Sequence, residues 1–295
     1  MTFSATEAAF EGFRVVRRHP LAIVFWSLAY LIFFAAFFGL FGGSLATLMS
    51  TTESLEGAQP SAQELEALGQ TYLGFMALAL PLGLVIGAVL NAAVARAVLF
   101  PAEKGFGYMR LGGDELRVLA VSVILGIVFF AVSIVLFGVV GVLAGLAAQA
   151  NAGVGILVGV LVGLGACVVL FWLAIRLSMA IPLTVAEKRI APFASFAMTK
   201  GHTLPLLGMA VIAFIMSILV TLLGTIIALP ITLATGGIQQ LATMDGQSTA
   251  QILQAAGAGL IGWGVVNAIF SALQIAVVYA PFSAAYRDLK GLPQD

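Results

Sequence analysis

Long apolar segments alternate with short polar connections along the whole chain. Six of these segments hold about 20 or more mostly apolar residues, the length that a helix needs to cross the hydrocarbon core of a bilayer. They lie at about 21–43, 72–95, 118–146, 154–177, 204–234 and 254–279. The pattern predicts an all-α fold, a polytopic transmembrane helical bundle with six spans. Gly224 and Pro230 are the places where we expect the fifth span to bend.

Composition identifies lipid as the main solvent of this chain. Hydrophobic residues make up 61% of it, charged residues make up 9%, and the mean hydropathy is +1.12. A soluble domain carries about a quarter of its residues as charges. Because no polar stretch is long enough to form a globular unit, we predict a single integral membrane domain over 1–295.

Basic residues occur in both tails but in only two of the five connections. All 13 lie before the first span, around the second and fourth connections, or after the sixth span: Arg14, Arg17, Arg18, Arg96, Lys104, Arg110, Arg117, Arg176, Lys188, Arg189, Lys200, Arg287 and Lys290. The other connections carry acidic residues instead, which are Glu53, Glu56, Glu64, Glu66 and Asp245. Since Lys and Arg are retained in the cytoplasm, we predict a multi-pass protein of a bacterial inner (plasma) membrane with both termini cytoplasmic.

A short amphipathic stretch precedes each of the first, third and fifth spans. The three stretches begin at Gly12, Gly107 and Ser195. Such stretches are typical of helices that lie in the headgroup plane. The recurrence predicts three similar units, each an interfacial helix plus a hairpin, related by a pseudo-threefold axis along the membrane normal. The predicted units are about 1–103, 104–190 and 191–295.

Glycines that are four residues apart lie on one helix face, and two helices can approach closely at such a face. The fourth span carries Gly155, Gly159 and Gly163, and the third span carries Gly141 and Gly145. The short connection between these spans makes them antiparallel neighbours, so we expect the two glycine faces to meet. A pore lined by glycine is the alternative interpretation.

Little in the sequence could carry catalysis. The two histidines, His19 and His202, stand apart from any pattern of metal ligands, and Cys167 lies within an apolar run. The motifs of hydrolases and phosphate-binding loops are missing. Every Asp and Glu falls in a connection, tail or interface, which argues against proton-coupled transport. We predict no enzyme activity, no metal, no cofactor and no nucleic-acid partner.

Arg96 and Arg176 are the first candidate ligand-binding residues. Both lie near the cytoplasmic ends of spans, where an arginine can anchor a helix by reaching the headgroups. Alternatively, the two side chains converge on a cavity that binds a lipid phosphate, because guanidinium groups bond phosphate oxygens in pairs.

The sixth span carries a polar stripe. Asn267, Ser271 and Gln274 are spaced i, i+4 and i+7, which places them on one helix face. They either join neighbouring helices by hydrogen bonds, with Asn91 as a partner, or line a path for a polar or amphiphilic substrate.

One segment carries a family resemblance. Residues 176–187, Arg-Leu-Ser-Met-Ala-Ile-Pro-Leu-Thr-Val-Ala-Glu, and residues 195–201, Ser-Phe-Ala-Met-Thr-Lys-Gly, resemble the YciC-like six-span bacterial membrane proteins and their relatives labelled as glycerophosphoryl diester phosphodiesterase membrane domain. The resemblance implies an uncharacterised envelope protein and transfers no catalytic residue.

Two functions are compatible with these sequence features. The first is binding or moving a lipid or other amphiphile in envelope homeostasis, with membrane lipids as partners. The second is a non-catalytic scaffold or regulatory subunit that docks other membrane proteins.

Overall fold

The computed structural model describes residues 4–55, 61–103, 105–235 and 249–293. Three residues of the charge pattern, Glu56, Lys104 and Asp245, lie outside these ranges. Helices account for nearly all of the described chain, and these residues contain no strand. In chain order the helices are α1 (Ala5–Ala9), α2 (Glu11–Arg18), α3 (Pro20–Leu55), α4 (Ala62–Leu99), a 3-10 helix (Phe106–Tyr108), α5 (Gly113–Ala150), α6 (Ala152–Leu177), α7 (Ala180–Glu187), α8 (Ala194–Met198), α9 (Thr203–Thr235) and α10 (Thr249–Leu289).

Within the described ranges, six stretches are long and apolar enough to cross a membrane. They are Pro20–Thr52, Leu65–Leu99, Phe106–Ala150, Ala152–Glu187, Thr203–Thr235 and Gly259–Leu289. Each contains one predicted segment or most of it, which confirms the all-α polytopic bundle. The fourth stretch is divided into α6 and α7 at Ser178 and Met179, whereas α9 runs unbroken through Gly224 and Pro230.

The sixth span, α10, is the centre of one group of helices, whereas α5 and α6 pack chiefly against each other. Helix α10 packs against α3, α9, α4 and α2. The main hydrophobic cluster includes Trp26, Leu90, Met209 and Ala276, which come from four of these long helices. Helices α1 and α2 lie beside the last turns of α10, and we call this end of the bundle the terminal end.

Helix α2 approaches α10 so closely that only glycine fits at residue 12. A Cβ atom at Gly12 would lie 2.5 Å from the Cα of Val277 and 2.6 Å from the carbonyl oxygen of Ala276. These neighbours are backbone atoms, which cannot turn aside as a flexible side chain does. Gly12 therefore fixes the position of the amphipathic N-terminal segment on the sixth span.

Close packing of α5 and α6 depends on the glycines of only one helix. A Cβ at Gly155 would lie 2.5 Å from the Cβ of Ala148, and one at Gly159 would lie 3.3 Å from the Cβ of Ala144. A Cβ at Gly163 would lie 4.0 Å from its nearest neighbour, Val140 Cγ1, which is an ordinary contact distance.

The prediction that Gly141 and Gly145 meet these glycines is wrong. A Cβ at either position would have no described atom within 4 Å. The α5 contact face consists of residues 140, 144 and 148, so small alanines, rather than glycines, receive the α6 backbone.

The proposed pseudo-threefold arrangement stays a prediction. Short helical elements do precede the first, third and fifth spans, as α1 with α2, the 3-10 helix, and α8. Their geometry differs, because the 3-10 helix contains Gly107 with φ of +65° whereas α2 is a regular helix of eight residues.

Candidate functional site

A polar groove with a volume of about 350 Å³ lies between α9 and α10. Its polar side chains come from both helices: Thr221, Thr225 and Thr232 from α9, and Asn267, Ser271 and Gln274 from α10. The structure thus brings all three residues of the predicted polar stripe into one cavity. Both helices are membrane spans, and the stripe lies near the middle of the stretch Gly259–Leu289.

The amide groups of the polar groove are held by hydrogen bonds to its walls. Gln274 Nε2 donates to Thr221 Oγ1 across the groove at 3.2 Å, and Asn267 Nδ2 donates to the carbonyl oxygen of Trp263 at 2.9 Å. The first bond joins α9 to α10, which is the interhelical role that the sequence offered for the stripe. The same side chains also line open space, so packing and ligand contact are compatible here.

The threonines present hydroxyl oxygens whose protons are already donated. Thr221 donates to the carbonyl oxygen of Ser217 at 2.9 Å, Thr225 to that of Thr221 at 3.0 Å, and Thr232 to that of Ala228 at 3.2 Å. Each hydroxyl oxygen keeps lone pairs that can accept a further hydrogen bond. This wall of the groove therefore suits a ligand that donates, such as a hydroxyl, an amide or an ammonium group.

Aromatic side chains form the apolar part of the groove. Phe270 packs against the backbone of Gly224, where a Cβ would lie 2.8 Å from the Phe270 Cγ. The ring of Trp263 has its centroid 5.7 Å from those of both Phe34 and Phe38 on α3. Because these rings are braced by neighbouring helices, the groove is a built feature of the bundle and not a gap between loose side chains.

Polar side chains of the groove are accessible from outside the bundle. Thr221, Thr225 and Gln274 are exposed, whereas Asn267 and Ser271 are half-buried. At this depth of a membrane span an exposed side chain faces hydrocarbon, where polar groups need partners. The arrangement can therefore hold the polar part of a molecule whose apolar part remains in the lipid.

Arg96 does not belong to the polar groove. It is buried, with its Nη1 donating to the carbonyl oxygen of Tyr108 at 2.8 Å and its Nη2 bonded to Glu115 Oε1 at 2.5 Å. Asp114 Oδ2 lies 3.7 Å from the same Nη2. Two carboxylates already surround this guanidinium, so its observed role is to bind the connection and the start of α5 to α4.

Residues around Tyr108 show how that connection is shaped. Gly107 has φ of +65°, and a Cβ there would lie 2.8 Å from the Phe25 Cβ. Trp26 Nε1 donates a hydrogen bond to the carbonyl oxygen of Gly107 at 2.6 Å, and the Tyr108 hydroxyl donates one to the carbonyl oxygen of Pro101 at 3.0 Å. The second connection is thereby fastened to α3 as well as to α4.

Arg176 lies in different surroundings. Its Cζ is 5.1 Å from the ring centroid of Phe196 and 5.9 Å from that of Trp172. The Nε is buried without a hydrogen-bond partner among the described residues. Arg176 and Arg96 share none of these contacts, so the structure does not bring the two predicted phosphate ligands together.

Asn91 also lies away from the polar groove. It lines a separate cavity of about 370 Å³ with Tyr279, Ser178 and Ser283, and its buried Oδ1 has no hydrogen-bond partner among the described residues. Sequence reasoning thus assigned the stripe a wrong partner and missed the right one. The threonines at 221 and 225 are spaced i and i+4 on the fifth span, and this spacing was the available signal.

No family model, curated protein or solved structure matches this chain. The resemblance to YciC-like proteins accordingly stays a prediction. Within the described residues, no group of three or more His, Cys, Asp or Glu side chains is placed to hold a metal ion.

Proposed function

We propose that this chain binds a lipid or another amphiphile within the membrane and presents or moves it in envelope homeostasis. The observation that carries the proposal is the polar groove, in which six polar side chains from α9 and α10 border a cavity between two candidate membrane spans. The proposed ligand places a hydrogen-bonding group against Asn267, Ser271 and Gln274. Its apolar chain lies along the surrounding α9 and α10 surface.

The free-energy cost of leaving polar side chains unbonded in hydrocarbon favours a groove that holds a ligand. A polar group that faces hydrocarbon without a partner costs several kcal/mol. Internal bonds satisfy the donors of the threonines and one donor each of Asn267 and Gln274. Amphiphile groups that bond the remaining amide and hydroxyl capacity would lower this cost.

We further propose a bacterial inner membrane as the location, with both termini in the cytoplasm. The support is the charge pattern, because the connections with basic residues alternate strictly with those that lack them. On this orientation the terminal end of the bundle faces the cytoplasm, and the polar groove is reached from the bilayer itself.

Lipid retention tests the amphiphile proposal. The chain is purified in a mild neutral detergent from bacterial membranes, and bound lipids are identified by mass spectrometry. We expect the Asn267→Leu/Gln274→Leu variant to retain about tenfold less of the enriched lipid than the wild type, because two neutral hydrogen bonds of about 0.5–1.5 kcal/mol each are lost.

A matched variant controls for added hydrophobicity. Ser133→Leu/Gln149→Leu makes the same kind of change on α5, outside the groove, and should retain the lipid as the wild type does. Equal lipid retention in the groove variant and the wild type, with both folded, would reject the proposal. If the groove variant instead loses a co-purifying membrane protein, the groove docks a partner helix and the scaffold function is favoured.

A further inference from the structure

A second cavity, of about 400 Å³, lies at the terminal end of the bundle. It is lined by α2, by the end of α4 with the following connection, and by the end of α10 with the C-terminal tail. Its volume is within the roughly 300–1,000 Å³ range of small-molecule sites. We call it the terminal cavity. Along α10, Arg287 in this cavity is separated from Gln274 in the polar groove by about 20 Å, so the two sites are distinct.

The terminal cavity has one basic side and one apolar side. Arg18, His19 and Arg287 supply the basic and polar lining, and the buried carboxylate of Glu11 borders the cavity beside them. Val15 and Val98 are buried and belong to the apolar lining. A surface with both characters suits a phosphate group that is attached to an apolar body, as well as a free phosphate.

Arg287 and Glu11 are two buried charges of opposite sign that line this cavity. The Arg287 side chain is 10% exposed, and its Nε has no hydrogen-bond partner in the described chain. The nearest carboxylate oxygens are Glu11 Oε1, 3.6 Å from Nη1, and Asp288 Oδ1, 3.5 Å from Nε. Both distances exceed that of an ordinary N–H···O bond. The guanidinium is thus held near negative charge while donor capacity remains unused.

Neighbouring charges leave the cluster positive. Glu11 is already bonded at 2.9 Å to Arg14 Nη1, so a second guanidinium shares its charge. Three arginines, at 14, 18 and 287, stand against two carboxylates, at 11 and 288. An anion that enters the terminal cavity therefore meets a net positive charge.

We propose that the terminal cavity binds a phosphate group, with Arg287 and Arg18 as its ligands. A guanidinium bonds phosphate oxygens in pairs, and burial strengthens such bonds because water no longer competes. Arg287 holds the phosphate from the α10 side, and Arg18 closes over it from α2. The proposal does not depend on the polar groove.

Binding is measured on the full chain in neutral detergent by isothermal titration calorimetry. The probes are inorganic phosphate and dioctanoyl phosphatidate, and dioctanoyl phosphatidylcholine is the control lipid. We expect saturable binding of a phosphate monoester and about tenfold weaker binding in Arg18→Gln, since one charge-assisted bond is lost. Arg18 is exposed, so this variant should fold, and Arg287→Lys provides a second test with the charge retained.

Arg17→Gln is the matched control, because it removes the same charge from an exposed neighbour that does not line the cavity. It should change the affinity less than twofold. Binding of phosphatidate alone assigns the phosphate to a lipid headgroup, and binding of both probes assigns it to the phosphate itself. Equal weakening by Arg17→Gln and Arg18→Gln, or no saturable binding of either probe, would overturn the proposal. Asn267→Leu/Gln274→Leu should bind inorganic phosphate as the wild type does, which separates this site from the groove.

Discussion

Replacing Arg96 with alanine should lower the free energy of unfolding by about 3–5 kcal/mol, the cost of leaving one partner of a buried ion pair uncompensated. The Arg96 side chain is 2% exposed and that of Glu115 is 7% exposed. Without the guanidinium, the Glu115 carboxylate and the Tyr108 carbonyl oxygen lose their donor in a nearly dry environment. Thermal unfolding in detergent, followed by intrinsic tryptophan fluorescence, measures the loss.

Two variants separate this cost from a general effect of removing charge. Arg110→Ala breaks the ion pair between Arg110 and Glu103, whose two side chains are 50% and 47% exposed. Because this pair is exposed, its loss should change the free energy of unfolding by less than about 1 kcal/mol. Arg96→Met/Glu115→Gln removes both charges and should recover much of the loss, because no buried ion remains alone. Equal destabilisation by Arg96→Ala and Arg110→Ala would contradict the buried clamp.

Replacing Gly12 with leucine should destabilise the chain by up to about 3 kcal/mol and detach α2 from α10. A Cβ at this position would overlap the backbone of residues 276 and 277. A detached α2 should unfold locally, so trypsin should cleave after Arg14 and Arg17 faster than in the wild type, and limited proteolysis in detergent reports the detachment directly. Phosphate binding in the terminal cavity should fall as well, since α2 carries Arg18.

Gly39→Leu is the control for this change. A Cβ at Gly39 meets nothing within 4 Å, so leucine there fits without displacement and, as the better helix former, leaves stability equal or slightly higher. If Gly12→Leu were cleaved by trypsin at the same rate as the wild type and Gly39→Leu, the close contact between α2 and α10 would not exist.

The predictable part of the architecture follows from the physics of lipid. Hydrocarbon requires about 20 apolar residues per helical span, and this single constraint was enough to place all six. The stripe of Asn267, Ser271 and Gln274 was also readable, because helical periodicity alone puts three residues on one face. Its cavity was not readable, since that depends on which helix lies opposite.

The predictions that were wrong depended on which helix lies opposite each residue in the folded chain. Arg96 and Arg176 have similar places in the sequence, yet one is clamped by carboxylates and the other lies against aromatic rings. Gly141 and Gly145 have the spacing of a packing face, but the rotation of α5 turns Ala144 and Ala148 toward α6. Arg287 could not be recognised in the sequence as a candidate ligand, because its neighbours Glu11 and Arg18 come from α2, at the other end of the chain.

Cysteine labelling measures the membrane topology on which the account rests. In a Cys167→Ala background, single cysteines replace Gln63, at the start of α4, and Lys200, ahead of α9; both positions are exposed. Bacterial spheroplasts that express each variant are treated with a membrane-impermeant maleimide. We expect labelling at residue 63 in intact spheroplasts and at residue 200 only after lysis. Labelling of both positions from the same side would contradict the six-span topology and the proposals built on it.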